Sequence, residues 1–186
     1  MRRKFPKRVI ILSLALSVLV GSYGFYRHMI KASQLSQQEV QVQEKKDTEK
    51  KKNYPNLANY NDLSILVSIK QQKMIIYSGN QVIFKTTVST GDKESPTPTG
   101  KFAIEAERGE FFYNEESGEG AYYWVSFKDH GTYLFHSVPT DRYGNEIKEE
   151  AKKLGTPCSH GCVRMSKEDA KWFYESIPEG VVVSIH

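Results

Sequence analysis

The 186-residue chain carries a formal net charge of +4, but this charge is unevenly distributed. Residues 1–61 hold 12 Lys/Arg against 4 Asp/Glu, whereas residues 62–186 hold 14 against 18, so the basic excess belongs to the N-terminal third. A nucleic-acid-binding groove in the mildly acidic residues 62–186 is disfavoured because it would need clustered Lys and Arg. The length of the chain suits one ordinary domain with its own hydrophobic core.

A basic N-terminus precedes a long uncharged segment. Five Lys or Arg residues lie within residues 1–8, and residues 9–26 then carry no charge. This length is near the lower limit for a membrane-spanning helix, and the basic flank favours a cytoplasmic N-terminus. We therefore expect residues 1–30 to form a basic cytoplasmic tail and a transmembrane signal-anchor at the cell membrane. A cleaved signal peptide and a soluble helix are the alternatives, although only a weak cleavage site follows.

Residues 31–61 are polar and rich in Gln, Lys and Glu. Such a segment cannot bury enough apolar surface to fold alone, so it is predicted to be a flexible linker or stalk. Pro55 and the asparagines up to Asn61 indicate its end. The folded domain is then predicted to occupy residues 62–186, outside the cell.

Short apolar segments separated by turns dominate residues 62–186. Leu63, Ile65 and Val67 alternate with polar neighbours, which is typical of a half-buried strand. Further strands are predicted over residues 74–77, 82–88, 102–104 and 181–185, and hairpins from residues 111–135. Helices are predicted over residues 145–154 and after Ser166, where a capping sequence precedes apolar residues at helical spacing. The pattern indicates a mainly β domain with two short helices.

Two other segments stand out in this domain. Residues 89–101 form a loop rich in Gly, Pro and Thr, stiffened by Pro96 and Pro98. Residues 111–113 and 122–124 are aromatic clusters, for which packing is favoured over lining a cleft.

The segment Ser159-His160-Gly161-Cys162-Val163-Arg164 carries the most chemistry. A nucleophilic cysteine needs a base or positive field, N–H donors for an oxyanion and an open approach. His160 and Arg164 supply positive charge nearby, and Gly161 leaves the approach free of a side chain. A second histidine, His136, follows a predicted strand and is a candidate general base.

These residues resemble the L,D-transpeptidase catalytic domain (YkuD-type) family of bacterial cell-wall enzymes. The resemblance rests on His136, a spacer, and Ser159 to Arg164, together with the upstream Ser89-Thr90-Gly91 and Thr97-Pro98-Thr99-Gly100. It implies a β-sandwich-like fold with Cys162 as nucleophile and His136 as base. It also implies that the residue after the histidine, Ser137, orients the imidazole, so that a Cys-His-Ser arrangement is open.

The resemblance assigns supporting roles as well. His160, Gly161 and Cys162 are expected to offer main-chain N–H groups to the oxyanion, and Arg164 to hold the site or bind a substrate carboxylate. The implied reaction is acyl transfer from a peptidoglycan tetrapeptide stem, through a thioester, to an amine of another stem. No metal or organic cofactor is implied. The spacer between His136 and Ser159 resembles an insertion that covers the site.

Several alternatives stay open at this point. Cys158 and Cys162 are candidates for a disulfide if the chain turns tightly, and Cys158, His160 and Cys162 have the spacing of metal ligands on one strand face. The functional alternatives are hydrolytic release of D-alanine, a sortase-like attachment of proteins to the wall, and a non-catalytic wall-binding domain.

Overall fold

A computed structural model describes Arg27, Met29, Ile30 and residues 52–186. The chain divides into two compact units, Met1–Asn53 and Tyr54–His186. In the first unit Arg27, Met29 and Ile30 are helical and exposed. The predicted membrane span, residues 9–26, and most of the predicted linker lie outside the described residues. Within the described part of the chain, no helix has both the length and the apolar character needed to cross a membrane.

Nine strands of the second unit form two sheets. The first sheet has five strands in the order β3-β2-β1-β9-β4, and its only parallel pair among the described strands is β1 with β9. Its strands are β1 (Leu63–Ser68), β2 (Lys73–Ser78), β3 (Gln81–Thr87), β4 (Gly100–Ala103) and β9 (Val182–Ile185). The predicted strands are therefore confirmed to within two residues at their ends.

The second sheet has four strands in the order β5-β6-β7-β8. They are β5 (Arg108–Asn114), β6 (Glu119–Lys128), β7 (Tyr133–Ser137) and β8 (Val163–Met165). β7 and β8 run parallel, whereas the other neighbours are antiparallel. Two parallel strands cannot be joined by a tight turn. The chain that leaves the end of β7 must therefore run back to the opposite end of the sheet before it enters β8.

One hydrophobic core takes side chains from both sheets and from helix α2 (Lys167–Ser176). Val67 and Met74 come from the first sheet, Phe127 and Phe135 from the second, and Phe173 from the helix, all nearly inaccessible to solvent. Ser166 caps α2 by accepting a hydrogen bond from the Asp169 N–H at 3.2 Å, as the sequence predicts. The mainly β prediction with two helices is confirmed.

The first helix differs from its prediction. Helix α1 covers Lys148–Ala151 rather than residues 145–154. Ile147 precedes it in an extended conformation without a side-chain cap, and Gly155 follows at a φ of 99°. Polar side chains dominate this single turn, and none of them is buried, so little packing extends it.

The compact unit begins earlier than residue 62. Leu57 is 1% exposed and belongs to the core, and the Tyr54 ring stacks on Trp172 at 5.3 Å. The Tyr54 hydroxyl donates to Asp169 at 2.7 Å, and the Trp172 indole N–H donates to the Pro55 carbonyl at 3.1 Å. The last part of the predicted linker is thus part of the domain, because Tyr54 and Pro55 find partners on α2 and Leu57 is buried in the core.

Candidate active site

The predicted base and the motif arginine lie on adjacent strands. His136 on β7 is the register partner of Arg164 on β8, and both are buried. The other edge of β8 is held by Ser89, whose N–H and carbonyl exchange two 2.8 Å hydrogen bonds with the main chain of Arg164. Two separate parts of the sequence, β7 and the segment at Ser89, therefore fix the position of this strand.

The Gly/Pro/Thr-rich loop supports the motif through its main chain. The Thr90 carbonyl accepts hydrogen bonds from the N–H groups of Cys158 and Ser159, at 2.9 and 3.0 Å. Gln72 in turn fixes Thr90, accepting from its N–H at 2.8 Å and donating to its hydroxyl at 2.7 Å. The loop therefore supports the site from outside the cavity.

Hydrogen bonds within the motif shape the turn that presents Cys162. The buried Ser159 hydroxyl donates to the Cys162 carbonyl at 2.6 Å and accepts from the Gly161 N–H at 3.1 Å. Gly161 has a φ of 112°, and a Cβ there would lie 3.0 Å from the Tyr133 ring. Glycine is required here for both reasons. Because the Gly161 N–H is already donated to Ser159, its predicted donation to an oxyanion is contradicted.

The His136 imidazole has one defined orientation. Its Nδ1 lies 2.6 Å from the Ser137 carbonyl oxygen, which can only accept, so Nδ1 carries the proton and Nε2 is left as a base. The Ser137 hydroxyl points elsewhere: it accepts from the Tyr122 N–H at 3.0 Å and donates to the Val138 carbonyl at 2.8 Å. Ser137 therefore contributes its carbonyl to the site and not its side chain.

Burial disfavours the charged forms of the His136 imidazole and the Cys162 thiol. Desolvation, reinforced by the charge of Arg164, lowers the pKa of His136 to about 4, against the opposing effect of the Ser137 carbonyl. Desolvation raises the pKa of the Cys162 thiol, although the Leu134 main chain and Arg164 act in the opposite direction. The half-buried thiol donates a weak hydrogen bond to the Thr132 carbonyl at 3.7 Å. Both shifts favour the neutral forms, a thiol and an imidazole, over a thiolate and an imidazolium.

Two carboxylates bind the Arg164 guanidinium. Its Nη1 donates to Glu150 and its Nη2 to Glu119, each at 2.9 Å, and Nη1 also donates to the Cys158 carbonyl at 3.2 Å. Burial opposes ionisation of Glu150, yet Lys153 and Arg164 hold its pKa below the ordinary value. Of the two roles predicted for Arg164, this arrangement matches holding the site, because both terminal nitrogens of the guanidinium already pair with carboxylates of the domain.

A cavity of about 550 Å³ collects the predicted site residues. Its walls include His136, Ser159, His160, Cys162 and Arg164. His160 is exposed, whereas Ser137 and Gly161 lie behind the walls. The remaining wall residues are Phe112, Asn114, Glu116, Ser117, Glu119, Gly120, Trp124, Gly131, Thr132, Leu134 and Pro139.

Sequence reasoning missed the contribution of the β5–β6 hairpin to this cavity. Phe112 and Trp124 line it, so the expectation of packing alone is wrong for these two aromatics, and the Phe112 ring meets His136 edge-on at 5.7 Å. Within the described structure, the spacer between His136 and Ser159 contributes only Pro139 to the walls. Its predicted role as a cover over the site is therefore not supported, and it reaches the site instead through Glu150.

The two cysteines are separate free thiols. Cys158 Sγ lies 4.0 Å from Arg164 Nη1, whereas Cys162 Sγ faces Thr132. Within residues 52–186, one set of three potential metal ligands lies within 4.8 Å, and it consists of Glu105, Glu107 and His130 at the surface. It does not include the Cys158, His160 and Cys162 set considered from the sequence.

Comparison with known proteins gives consistent matches to one family. The family model described as the L,D-transpeptidase catalytic domain (YkuD) matches residues 62–185. A Bacillus subtilis (strain 168) protein named "Putative L,D-transpeptidase YciB" is 50% identical over 122 residues, which cover 64% of this chain and 63% of that protein. The match thus spans less than two thirds of that relative's length.

Solved structures share the fold. The LD transpeptidase LdtMt1 in complex with imipenem has a TM-score of 0.56 at 19% identity, covering 68% of this chain and 59% of its own. An L,D-transpeptidase from Mycobacterium smegmatis has a TM-score of 0.56 at 18% identity, covering 67% and 58%. At these identities the likeness shows the fold.

Proposed function

The chain belongs to the L,D-transpeptidase catalytic domain family, and on that premise we propose that it is a cysteine acyltransferase that cross-links peptidoglycan stem peptides. The observation that carries the proposal is the meeting of Cys162 and His136 in one cavity, with the imidazole held by the Ser137 carbonyl so that Nε2 is the basic nitrogen. A pure wall-binding domain needs neither a free thiol in its cavity nor an oriented base beside it.

The first half-reaction forms a thioester. His136 Nε2 takes the Cys162 thiol proton as Sγ attacks the carbonyl carbon that precedes the terminal D-alanine of a tetrapeptide stem. The tetrahedral oxyanion collapses, the C–N bond breaks, and the imidazolium returns the proton to the nitrogen of the leaving D-alanine. Burial raises the pKa of the Cys162 thiol and lowers that of His136, which supports a proton transfer that accompanies attack rather than preceding it.

The second half-reaction consumes the thioester. An amine of a second stem attacks the thioester carbonyl and gives its proton to His136. The C–S bond then breaks and the Cys162 thiol is regenerated, so a 3-3 type cross-link forms without a cofactor. With the Gly161 N–H donated to Ser159, the main-chain N–H groups of His160 and Cys162 are the proposed oxyanion donors.

The proposed location follows from the first thirty residues. A basic flank before an uncharged segment supports a signal-anchor with the N-terminus in the cytoplasm and the catalytic domain on the wall side of the membrane. Peptidoglycan stems lie on that side.

Intact mass spectrometry of the full-length chain with imipenem tests the nucleophile and base. We expect one adduct per chain, none in Cys162→Ala, and an adduct formation rate at least about 100-fold lower in His136→Asn, since general bases contribute that much or more. His130→Asn, which changes an exposed histidine, and Cys158→Ser serve as matched controls and should keep the adduct. An adduct that persists in Cys162→Ala, or its absence from the reduced wild type, would refute the assignment.

A disaccharide-tetrapeptide assay then tests the reaction itself. Dimers formed with loss of D-alanine support cross-linking, whereas release of D-alanine without dimers would replace it with the hydrolytic alternative. Adduct formation with neither product would point to another acyl donor, such as the protein sorting signals of a sortase-like reaction.

A further inference from the structure

Arg164 is surrounded by more negative charge than it carries. Arg164 is 4% exposed, and its guanidinium pairs with two carboxylates, one from β6 and one from α1. Glu119 lies 45 residues before Arg164 and Glu150 lies 14 residues before it, so the two acids come from independent elements. Two ion pairs on one buried cation neutralise its field more completely than one would.

The second acid is itself balanced by a surface lysine. Glu150 uses Oε2 for Arg164 and Oε1 for Lys153, at 2.9 and 2.6 Å. Lys153 is about half exposed, so solvent screens it far more than it screens the buried guanidinium. Glu119 pairs with Arg164 from the cavity wall, where its side chain is 24% exposed.

Arg164 faces the reacting groups from the adjacent strand. Its charge acts on both His136 and Cys162, favouring the neutral imidazole and the thiolate. An uncompensated guanidinium in this position would therefore shift both members of the pair. The charged and titratable groups around the pair are Arg164 from β8, Glu119 from β6, Glu116 from the hairpin, His160 from the motif turn, and Glu150 and Lys153 from α1 and the turn after it.

We propose that Glu119 and Glu150 are positioning residues for the acyl transfer, which hold Arg164 in place beside His136 and Cys162 and offset the charge that would otherwise favour the Cys162 thiolate. This deepens the proposed function and rests on it for the identity of the reaction. Neither acid needs to contact the substrate for this role. Both act through Arg164, which they hold from opposite elements.

Replacement of either carboxylate by an amide removes its negative charge and keeps the shape of the side chain. In Glu119→Gln and Glu150→Gln the side chain keeps an oxygen that accepts from Arg164, and the other carboxylate and the Cys158 carbonyl still bind the guanidinium. The field at Cys162 then becomes more positive while the geometry is retained, so the thiolate forms at a lower pH. Glu115→Gln on the hairpin and Glu149→Gln on α1 remove the same charge from exposed positions and serve as matched controls.

The measurement is the pH dependence of Cys162 alkylation by iodoacetamide in the full-length chain, in a Cys158→Ser background. We expect the half-maximal pH to fall by about half a unit in each of Glu119→Gln and Glu150→Gln, which is about threefold faster alkylation at fixed pH below the midpoint. The controls should not shift. Because the two acids lie on different elements, either variant alone decides the matter if the other does not fold.

The outcomes separate this proposal from the proposed function. The positioning role would be overturned if the midpoint pH of alkylation stayed the same or rose in Glu119→Gln and Glu150→Gln, or if it fell equally in the controls. A loss of thermal stability without a change in the midpoint pH would leave these acids purely structural. Alkylation does not depend on the acyl donor. Failure of the imipenem adduct would therefore count against the transpeptidase reaction and leave this result standing.

Discussion

Protonation of His136 should couple the stability of the domain to acid. The folded-state pKa of this histidine is about 4, against 6.5 for an ordinary histidine, because the folded site excludes water and lies beside Arg164. Between these two pH values the unfolded chain binds a proton that the folded chain does not. Stability contributed by the neutral imidazole is therefore complete above pH 6.5, falls as the pH is lowered through this window, and levels off below about 4.

The size of the effect follows from the shift. A fall in the pKa of His136 from 6.5 in the unfolded chain to about 4 in the folded domain corresponds to a loss of about 3 kcal/mol in the free energy of unfolding as the pH is lowered through this range. Urea titrations at a series of pH values between 7.5 and 3.5 measure it. His136→Asn is the reference, because asparagine retains an N–H for the Ser137 carbonyl and does not titrate, and because the carboxylates common to both proteins cancel in the difference.

The difference curve decides the question. We expect the stability of the wild type relative to His136→Asn to decline by about 3 kcal/mol as the pH falls through the window. A difference that is independent of pH would refute the argument that the folded site keeps this imidazole neutral. A difference that grows at low pH would mean that the folded site stabilises the imidazolium, as an ion pair with a Cys162 thiolate would require.

Three further predictions follow from the site. Imipenem adduct formation, followed by loss of carbapenem absorbance, should show no inflection near pH 6.5 because the neutral His136 and Cys162 are both present there; a step at that pH would indicate an ion pair. Gly161→Ala should lower the free energy of unfolding by about 1–3 kcal/mol, measured by thermal unfolding, and slow adduct formation at least tenfold. The reason is that Gly161 has a φ of 112° and that the new Cβ would meet the Tyr133 ring. Adduct formation at the wild-type rate would show that the turn adapts. Ser137→Ala should lower the free energy of unfolding by about 1–3 kcal/mol, since the Tyr122 N–H and the Val138 carbonyl lose their partner. The rate of adduct formation should change less than about threefold. A large loss of rate would give the Ser137 hydroxyl a part in catalysis.

Local patterns were sufficient to predict most of the secondary structure. Alternation over Leu63, Ile65 and Val67 placed β1, because a strand that buries one face must alternate. Ser166 placed the start of α2 through its capping hydrogen bond. Helix α1 was predicted too long because periodic apolar residues are a weak signal in a segment that buries no side chain.

The site was only partly predictable for a related reason. Cys162 and His136 stand in recognisable motifs, but the partners of Arg164 are 45 and 14 residues away and follow from tertiary structure alone. The Gly161 N–H was misassigned because its partner depends on a rotamer of Ser159 that no spacing reveals. Tyr54 and Pro55 were assigned to the linker because their partners on α2 lie more than a hundred residues further along the chain.

The parallel pairing of β7 with β8 also determines at which stage of folding the Cys162 thiol gains its base. Twenty-two residues separate His136 from Ser159, and they must cross back over the sheet before Cys162 can lie beside the imidazole. The nucleophile and its base therefore come from different segments of the chain, and a long-range strand pairing brings them to one cavity. Until that crossover closes, the cysteine is an ordinary thiol without a base, so the chemistry of the domain begins only when its second sheet is complete.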